Sequence, residues 1–146
     1  GTGETVGTAD ALAGTDTVAL YFSAQWCAPC KGFAPYFKDF YSKRRKAGEK
    51  IEVVFISYDT NKEGYEKSIA SMPWLAVPFA PVKNQIRNIA RAGYPKPKGT
   101  PTIFFVDAKS GKLLDDHGQT LVRREMGLIK AAPRTQASND GDVKEA

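Results

Sequence analysis

The sequence has little of what several common classes of protein need. Its 146 residues include two cysteines and one histidine, His117, and no apolar run approaches the roughly 18 residues of a membrane span. The first ten residues lack the basic and apolar regions of a secretory signal. Two cysteines are too few for the disulfide framework of a small secreted protein. We therefore expect no membrane contact and place the chain, by default, in the cytoplasm.

Charge does not identify a partner either. The net charge of +5 comes from 21 basic and 16 acidic residues that are mostly interspersed. The basic run 43–46 follows an amphipathic segment, where cations complement the negative end of a helix dipole. We interpret this run as a helix end and expect no nucleic-acid partner.

The length of the chain suits one hydrophobic core. We expect a single domain over residues 1–133 and a disordered polar tail over residues 134–146, where one large apolar residue is present. No long exposed apolar pattern demands a second copy, so we expect a monomer.

Apolar strands alternate with helical patterns along the chain. Segments rich in β-branched and aromatic residues predict strands at 17–23, 52–58 and 102–107. Turn chemistry at 110–112 predicts that residues 112–115 return as a fourth strand in a hairpin. Amphipathic periodicity predicts helices at 28–46, 63–70, 82–91 and 121–131. This order predicts an α/β fold with a mixed central sheet flanked by helices on both faces.

The two cysteines, Cys27 and Cys30, lie where the first strand passes into the first long helix. The dipole and unpaired amides of a helix N-terminus favour a negative charge and lower the pKa of a thiol. Cys27 is therefore the expected nucleophile in disulfide exchange. Cys30, one turn inside the helix and less exposed, is expected to resolve the mixed disulfide.

Other interpretations of this cysteine pair account for it less well. A zinc or iron–sulfur site usually needs four ligands, so with one histidine in the chain it would require a second chain. A purely structural disulfide that spans four residues would close a very short loop and remove little unfolded-state entropy. We therefore expect no metal and assign the pair to redox chemistry.

A proline, Pro101, stands immediately before the third predicted strand. Proline at the entrance of a strand is the residue most able to adopt a cis bond, and we predict one between Thr100 and Pro101. Such a bond could turn the Thr100 backbone towards the cysteines and offer hydrogen-bonding groups to an extended substrate. Trp26, next to the expected nucleophile, is expected to form part of the exposed contact surface.

Four segments carry a recognisable pattern, namely YFSAQWCAPCKGFAP (21–35), FISYD (55–59), MPWLAVPF (72–79) and PTIFFVDAKSGKLL (101–114). Together they resemble the thioredoxin superfamily, and in particular its tryparedoxin and nucleoredoxin-like branch. The resemblance implies a thioredoxin fold with a redox-active disulfide and no other cofactor. It also implies a cytosolic carrier that takes electrons from trypanothione or a similar dithiol. Such a carrier passes them to peroxiredoxin-type peroxidases and other disulfide proteins.

Some positions near the cysteines depart from the usual tryparedoxin pattern. Ala28 precedes Pro29 where tryparedoxins usually have two prolines, and Thr100 stands where they have isoleucine. We expect the Thr100 hydroxyl to hydrogen-bond a nearby thiolate and to shift the redox potential. Asp59 matches the family's acidic residue, either as a strand-end cap or as a substrate contact.

Three further positions bear on partner and mechanism. Tyr58 and Gln119 stand where the family tends to have tryptophan and arginine. Tyr21 occupies the place of the buried aspartate that assists proton transfer in thioredoxins, so the proton would pass through water, Lys31 or Asp59.

More than one function is compatible with these residues. The leading interpretation is a protein-disulfide reductase. The alternatives within redox chemistry are a general thioredoxin-like reductase, or a disulfide oxidase or isomerase, with other partners. A non-enzymatic binding module with a thioredoxin fold is a different class of answer, although such a module has no need of both thiols.

Overall fold

A computed structural model of the chain describes residues 8–129. Its strands are β1 (Thr17–Ser23), β2 (Ile51–Ser57), β3 (Leu75–Ala76), β4 (Thr102–Asp107) and β5 (Leu113–Asp115). They form one sheet in the order β3-β2-β1-β4-β5. β1 pairs in parallel with β2 and antiparallel with β4, so the predicted mixed sheet is confirmed.

The helices are α1 (Thr8–Ala11), α2 (Ala28–Lys46), α3 (Lys62–Ala70), α4 (Val82–Arg91) and α5 (Gly118–Glu125). The bounds predicted for α2 and α4 are confirmed, and Asn61 caps α3 by accepting a hydrogen bond from the Gly64 amide. Two short elements, α1 and β3, were not predicted from the sequence. Among residues 8–129, no helix combines the length and apolar character needed to cross a membrane.

Alternate residues of β1 face opposite sides of the sheet and enter two separate hydrophobic clusters. On one side, Tyr21 packs with Trp74 and with an aromatic face of α2 that comprises Phe33, Phe37 and Phe40. On the other side, Phe22 belongs to the cluster that contains Ile89 of α4 and both cysteines. The redox pair therefore sits at the end of a packed core, and Trp74 is a core residue.

The last helix differs from the prediction of residues 121–131. It begins at Gly118, where an added Cβ would lie 2.7 Å from Ile103 Cγ2 and 2.8 Å from the Ile103 carbonyl oxygen. Only glycine allows α5 to start so close to β4, and the sequence pattern did not reveal this approach. The helix ends at Glu125 because Gly127 takes a left-handed conformation, with φ of 78°. Residues 130–131, like the tail predicted from residue 134, lie outside the described residues.

The basic run at the C-terminal end of α2 is held by ion pairs. Arg44 contacts both carboxylate oxygens of Glu125 in α5, at 3.0 and 2.5 Å, and Glu49 at 2.8 Å. Its guanidinium also lies 4.8 Å from the centre of the Phe40 ring. The interpretation of this run as a helix end is confirmed. Through Arg44, the run anchors α2 to α5.

Three segments converge at one end of the central strands, which is the edge of the sheet where β1 and β2 end. β1 and β2 run in parallel and end opposite each other, at Ser23 and Ser57. β4 is antiparallel to β1 and begins at the same edge, with Thr102 opposite Phe22. Three segments therefore meet there: the cysteine loop (residues 24–27), the residues that follow β2 and the residues that precede β4.

Candidate active site

Cys27 is the N-cap of α2, and its sulfur faces the first turn of the helix. The residue has extended backbone angles, and its Sγ accepts a hydrogen bond of 3.3 Å from the Cys30 amide. Pro29 lies in the first turn, where its missing N–H leaves no intrahelical bond unmade. The first turn contains no acidic residue that would repel a thiolate. The predicted junction of strand, cysteine and helix N-terminus is confirmed.

The sulfurs of Cys27 and Cys30 form a disulfide, with their Cα atoms 5.3 Å apart. Both residues are buried, at 3% and 2% exposed respectively. Cys30 is the less exposed of the two, as expected, and the difference in the disulfide form is small. Neighbouring groups distinguish the two sulfurs, since both Thr100 oxygen atoms contact Cys27 Sγ.

Thr100 presents two oxygen atoms to the sulfur of Cys27. Its hydroxyl donates a hydrogen bond of 3.2 Å to Cys27 Sγ, as expected from the sequence, and its carbonyl oxygen lies 3.6 Å from the same sulfur. The Thr100–Pro101 bond is cis, which confirms the prediction. Thr102 stabilises this turn by donating its hydroxyl to the Gly99 carbonyl at 2.7 Å.

Trp26 is exposed on one side and fixed on the other. The side chain is 60% exposed, while Nε1 donates a hydrogen bond of 2.9 Å to the Tyr58 carbonyl. Ala28 and Pro29 are also exposed, and Thr100 is half-buried. These four residues surround the disulfide with a surface of mostly apolar character.

Asp59 lies inside the protein, 1% exposed, and its carboxylate is fully occupied. Oδ1 accepts a hydrogen bond of 2.7 Å from the Gln25 amide. Oδ2 accepts hydrogen bonds from the hydroxyls of Ser57, at 2.6 Å, and Ser68, at 3.0 Å. This arrangement fits the expected role of a strand-end cap better than that of a substrate contact.

The three donors to Asp59 were not predicted from the sequence. Ser57 is two residues away in the sequence, but Ser68 lies on α3 and Gln25 belongs to the cysteine loop. Nothing in the sequence pairs these residues, because their contact depends on how β1, β2 and α3 pack. The nearest signal was the position of Asp59 directly after a buried strand.

Tyr21 stands below α2, where its ring contacts Phe37 and Trp74 with centroids 4.8 and 5.8 Å apart. Burial raises the pKa of the Tyr21 hydroxyl, so this group remains protonated at neutral pH. Tyr21 therefore cannot replace a carboxylate as a proton acceptor.

One exposed or half-exposed group among the described residues brings three possible metal-ligand atoms within 4.8 Å of one another, namely Asp115, Asp116 and His117. His117 Nδ1 lies 2.6 Å from Asp116 Oδ1, so these two side chains already pair with each other. Exposed acidic groups of this kind are common without an ion. Gln119 follows in the first turn of α5 and is half-buried.

Comparison with known proteins agrees with this geometry. Residues 14–113 match the family described as thioredoxin-like. Tryparedoxin of Trypanosoma brucei brucei is 38% identical over 109 residues, which cover 73% of this chain and 71% of that protein. Human nucleoredoxin is 30% identical over 128 residues, which cover 88% of this chain and 25% of that protein. The chain thus spans about a quarter of the length of this nucleoredoxin.

A solved structure of tryparedoxin II in complex with glutathionylspermidine matches the fold with a TM-score of 0.73 and 33% identity. The match covers 89% of this chain and 86% of that one. The fold is therefore the thioredoxin fold, and the cysteine pair is the redox-active disulfide of a disulfide oxidoreductase. The chain belongs to the thioredoxin-like family, within the branch that contains the tryparedoxins and nucleoredoxins.

Proposed function

We propose that this chain is a tryparedoxin-like protein-disulfide reductase that acts as a monomer in the cytoplasm. It takes electrons from trypanothione or a similar dithiol and passes them to peroxiredoxin-type peroxidases and other disulfide proteins. The observation that carries the proposal is the position of Cys27 Sγ, which receives hydrogen bonds from the Cys30 amide and the Thr100 hydroxyl. Both donors stabilise a thiolate at Cys27.

The first half of the cycle reduces the protein. A thiolate of the dithiol attacks Cys27 Sγ, the Cys27–Cys30 bond breaks, and Cys30 leaves as a thiolate that takes a proton from water. The second thiolate of the dithiol then attacks its own sulfur in the mixed disulfide. This step releases the oxidised dithiol and leaves Cys27 as a thiolate, so two electrons have entered the protein.

The second half passes these two electrons on. The Cys27 thiolate attacks a disulfide of the target protein and forms a mixed disulfide, and one target thiolate leaves. Cys30 loses its proton to water, and its thiolate attacks Cys27 Sγ, which restores the Cys27–Cys30 disulfide and releases the second target thiolate. Both target thiolates take protons from water. Cys27 is thus the nucleophile and Cys30 the resolving thiol.

The surroundings of the disulfide fit a partner that lies over it. Trp26, Ala28 and Pro29 are exposed beside Cys27 and provide apolar contact area. The Thr100–Pro101 segment lies on the other side of the sulfur and offers backbone groups to an extended chain. Trypanothione-type dithiols are supported as reductants by likeness to a tryparedoxin that binds glutathionylspermidine.

One observation favours a second candidate, an oxidase or isomerase. The Thr100 hydroxyl stabilises the Cys27 thiolate, and stabilising the reduced form raises the redox potential. A sufficiently high potential would make the protein a donor of disulfides. The Cys30 amide and the positive end of α2 act in the same direction as Thr100. We rank this candidate second because the likeness to tryparedoxins supports the reductase.

The test follows NADPH consumption with an oxidised peroxiredoxin as the final acceptor. Electrons are supplied either by trypanothione and trypanothione reductase or by thioredoxin reductase, and Cys27→Ser is the control. The proposal predicts Cys27-dependent turnover with trypanothione. Turnover with thioredoxin reductase alone would indicate a general thioredoxin-like reductase, and the absence of turnover in both systems would contradict reductase function with this acceptor.

A further inference from the structure

Three hydrogen bonds join the end of β1 and the cysteine loop to the residues that follow β2. The Tyr58 amide donates to the Ser23 carbonyl at 2.8 Å, and Trp26 Nε1 donates to the Tyr58 carbonyl at 2.9 Å. The third bond runs from the Gln25 amide to Asp59 Oδ1 at 2.7 Å. It is the one of the three that depends on a carboxylate side chain, so substitution can remove it.

The Asp59 carboxylate is held in place from its other side. Ser57, at the end of β2, and Ser68, in α3, both donate hydroxyl hydrogen bonds to Oδ2. Ser57 Oγ also accepts a hydrogen bond of 2.9 Å from the Asp59 amide. Oδ1 is therefore directed at Gln25 by bonds that fix both the side chain and its own backbone.

The N-terminus of α3 lies close to the same carboxylate. A Cβ added to Gly64 would lie 3.2 Å from Asp59 Oδ1, so glycine permits this approach. The positive end of a helix dipole stabilises a nearby anion, and three donors replace the water that a buried carboxylate loses. This arrangement explains how Asp59 can be buried, because hydroxyl and amide donors bind its carboxylate.

We propose that Asp59 is a positioning residue for the redox reaction. Through the Gln25 amide it fixes the segment that precedes Trp26 and Cys27, and so holds Cys27 Sγ against the Cys30 amide and the Thr100 hydroxyl. Asp59 does not touch the disulfide or the substrate in this role. The inference deepens the proposed function and rests on it for its effect on turnover.

Substitutions separate this role from general stabilisation. Asp59→Ala removes the acceptor for Gln25, whereas Asp59→Asn keeps a carbonyl oxygen that can accept the same bond. Ser68→Ala removes one bond to Oδ2, while the shorter bond from Ser57 still holds this oxygen and keeps Oδ1 directed at Gln25, so it serves as the matched control. If Asp59→Ala does not fold, Asp59→Ser replaces it, because a serine hydroxyl is too short to reach Gln25 from this position.

Two measurements are made on each variant well below its melting temperature. The first is hydrogen exchange at the Gln25 amide and at Trp26 Nε1, followed by NMR, which requires no substrate. The second is the rate constant for reduction of an oxidised peroxiredoxin by the pre-reduced protein. If the wild type fails to reduce the peroxiredoxin, the proposed function fails for that target, while the exchange series still tests the hydrogen bond.

We expect Asp59→Ala to speed exchange at both groups and to lower the reduction rate constant about 10- to 100-fold, as misplacement of a reacting group does. Asp59→Asn should restore both quantities to near the wild-type values. Ser68→Ala should lower the melting temperature and leave both unchanged. The proposal is overturned if folded Asp59→Ala, or its replacement Asp59→Ser, behaves as wild type, if Asp59→Asn is equally slow, or if Ser68→Ala slows the reaction to the same extent.

Discussion

The two ends of α2 use the same helix dipole in different ways. At the N-terminal end, the positive pole and the Cys30 amide face the sulfur of Cys27, and no acidic residue occupies the first turn. At the C-terminal end, the basic run 43–46 complements the negative pole, and Arg44 ties the helix to Glu125. We therefore expect one end to favour a thiolate at Cys27 and the other to stabilise the fold. Substitutions at the two ends should therefore change different quantities.

The largest expected effect on activity comes from Cys27→Ser. Without the nucleophilic sulfur the protein should show no measurable turnover with any disulfide substrate, because no mixed disulfide can form at that position. The free energy of unfolding, measured by urea titration of the reduced proteins, should stay close to that of the reduced wild type. A large loss of stability in reduced Cys27→Ser would contradict the separation of the two ends.

In α5, the helix that anchors α2 through Glu125, Gly118→Ala should cause the largest loss of stability. The added methyl group would clash with the Ile103 backbone and with Phe105 and push α5 away from β4. We expect a loss of about 1–3 kcal/mol in the free energy of unfolding, as is typical of overpacking. Urea titration measures this loss, and the rate constant per folded molecule should remain unchanged.

Gly32→Ala is the matched control, because a Cβ at this exposed position of α2 would meet no atom within 4 Å. Replacing a glycine inside a helix by alanine should raise the free energy of unfolding by about 0.5–1 kcal/mol. Equal losses of stability in the two alanine variants would show that the close approach at Gly118 does not account for the effect.

Thr100→Val sharpens the description of the reactive end. Valine keeps the shape of threonine but removes the hydroxyl that donates to Cys27 Sγ. A thiolate accepts such a bond more strongly than a disulfide sulfur does, so the substitution should destabilise the reduced form more than the oxidised form. We expect this difference to be about 1 kcal/mol, which lowers the redox potential by about 20 mV for a two-electron couple.

The potential is measured by equilibration with glutathione buffers. Thr100→Ser, which retains a hydroxyl, should stay closer to the wild type than Thr100→Val. An unchanged potential in Thr100→Val would remove the support for a role of the hydroxyl.

The smallest expected effect is the pH dependence of the anchor. Hydrogen bonding to Arg44 lowers the pKa of Glu125 below its ordinary value of 4.5. A carboxyl whose pKa is lowered by folding contributes stability that is fully present above its unfolded pKa and is lost as the pH falls through its folded pKa. The ion pair is partly exposed, so we expect it to contribute about 1 kcal/mol at neutral pH.

The measurement is urea unfolding of wild type and Glu125→Gln between pH 7 and pH 3. The difference between the two proteins should be constant near neutral pH and should shrink below about pH 4.5 as Glu125 takes up its proton. If the difference in the free energy of unfolding does not vary with pH, the ionised carboxylate of Glu125 does not cause it.

Much of the reactive end could be predicted from the sequence because its signals are local. A buried strand, a cysteine and a helix follow one another directly, and Pro101 marks the start of β4. The helix bounds of α2 and α4 were also predictable, because amphipathic periodicity extends over their full length.

What could not be predicted depends on tertiary contacts. The bond between Asp59 and Gln25 joins residues 34 positions apart, and no periodicity connects them. β3 comprises two residues in a proline-rich segment, which is too short to show a strand pattern. The start of α5 was missed because it depends on the approach of Gly118 to Ile103. The near-equal burial of both cysteines likewise arises from packing across the sheet edge.

The most direct test of the account is to trap the mixed disulfide. Reduced Cys30→Ser and reduced Cys27→Ser are each mixed with an oxidised peroxiredoxin, and the products are analysed by non-reducing mass spectrometry. We predict a stable covalent adduct through Cys27 in Cys30→Ser, since no second thiol can release it, and no such adduct in Cys27→Ser. An adduct through Cys30 in Cys27→Ser, with none in Cys30→Ser, would contradict the assignment of Cys27 at the helix N-terminus as the nucleophile.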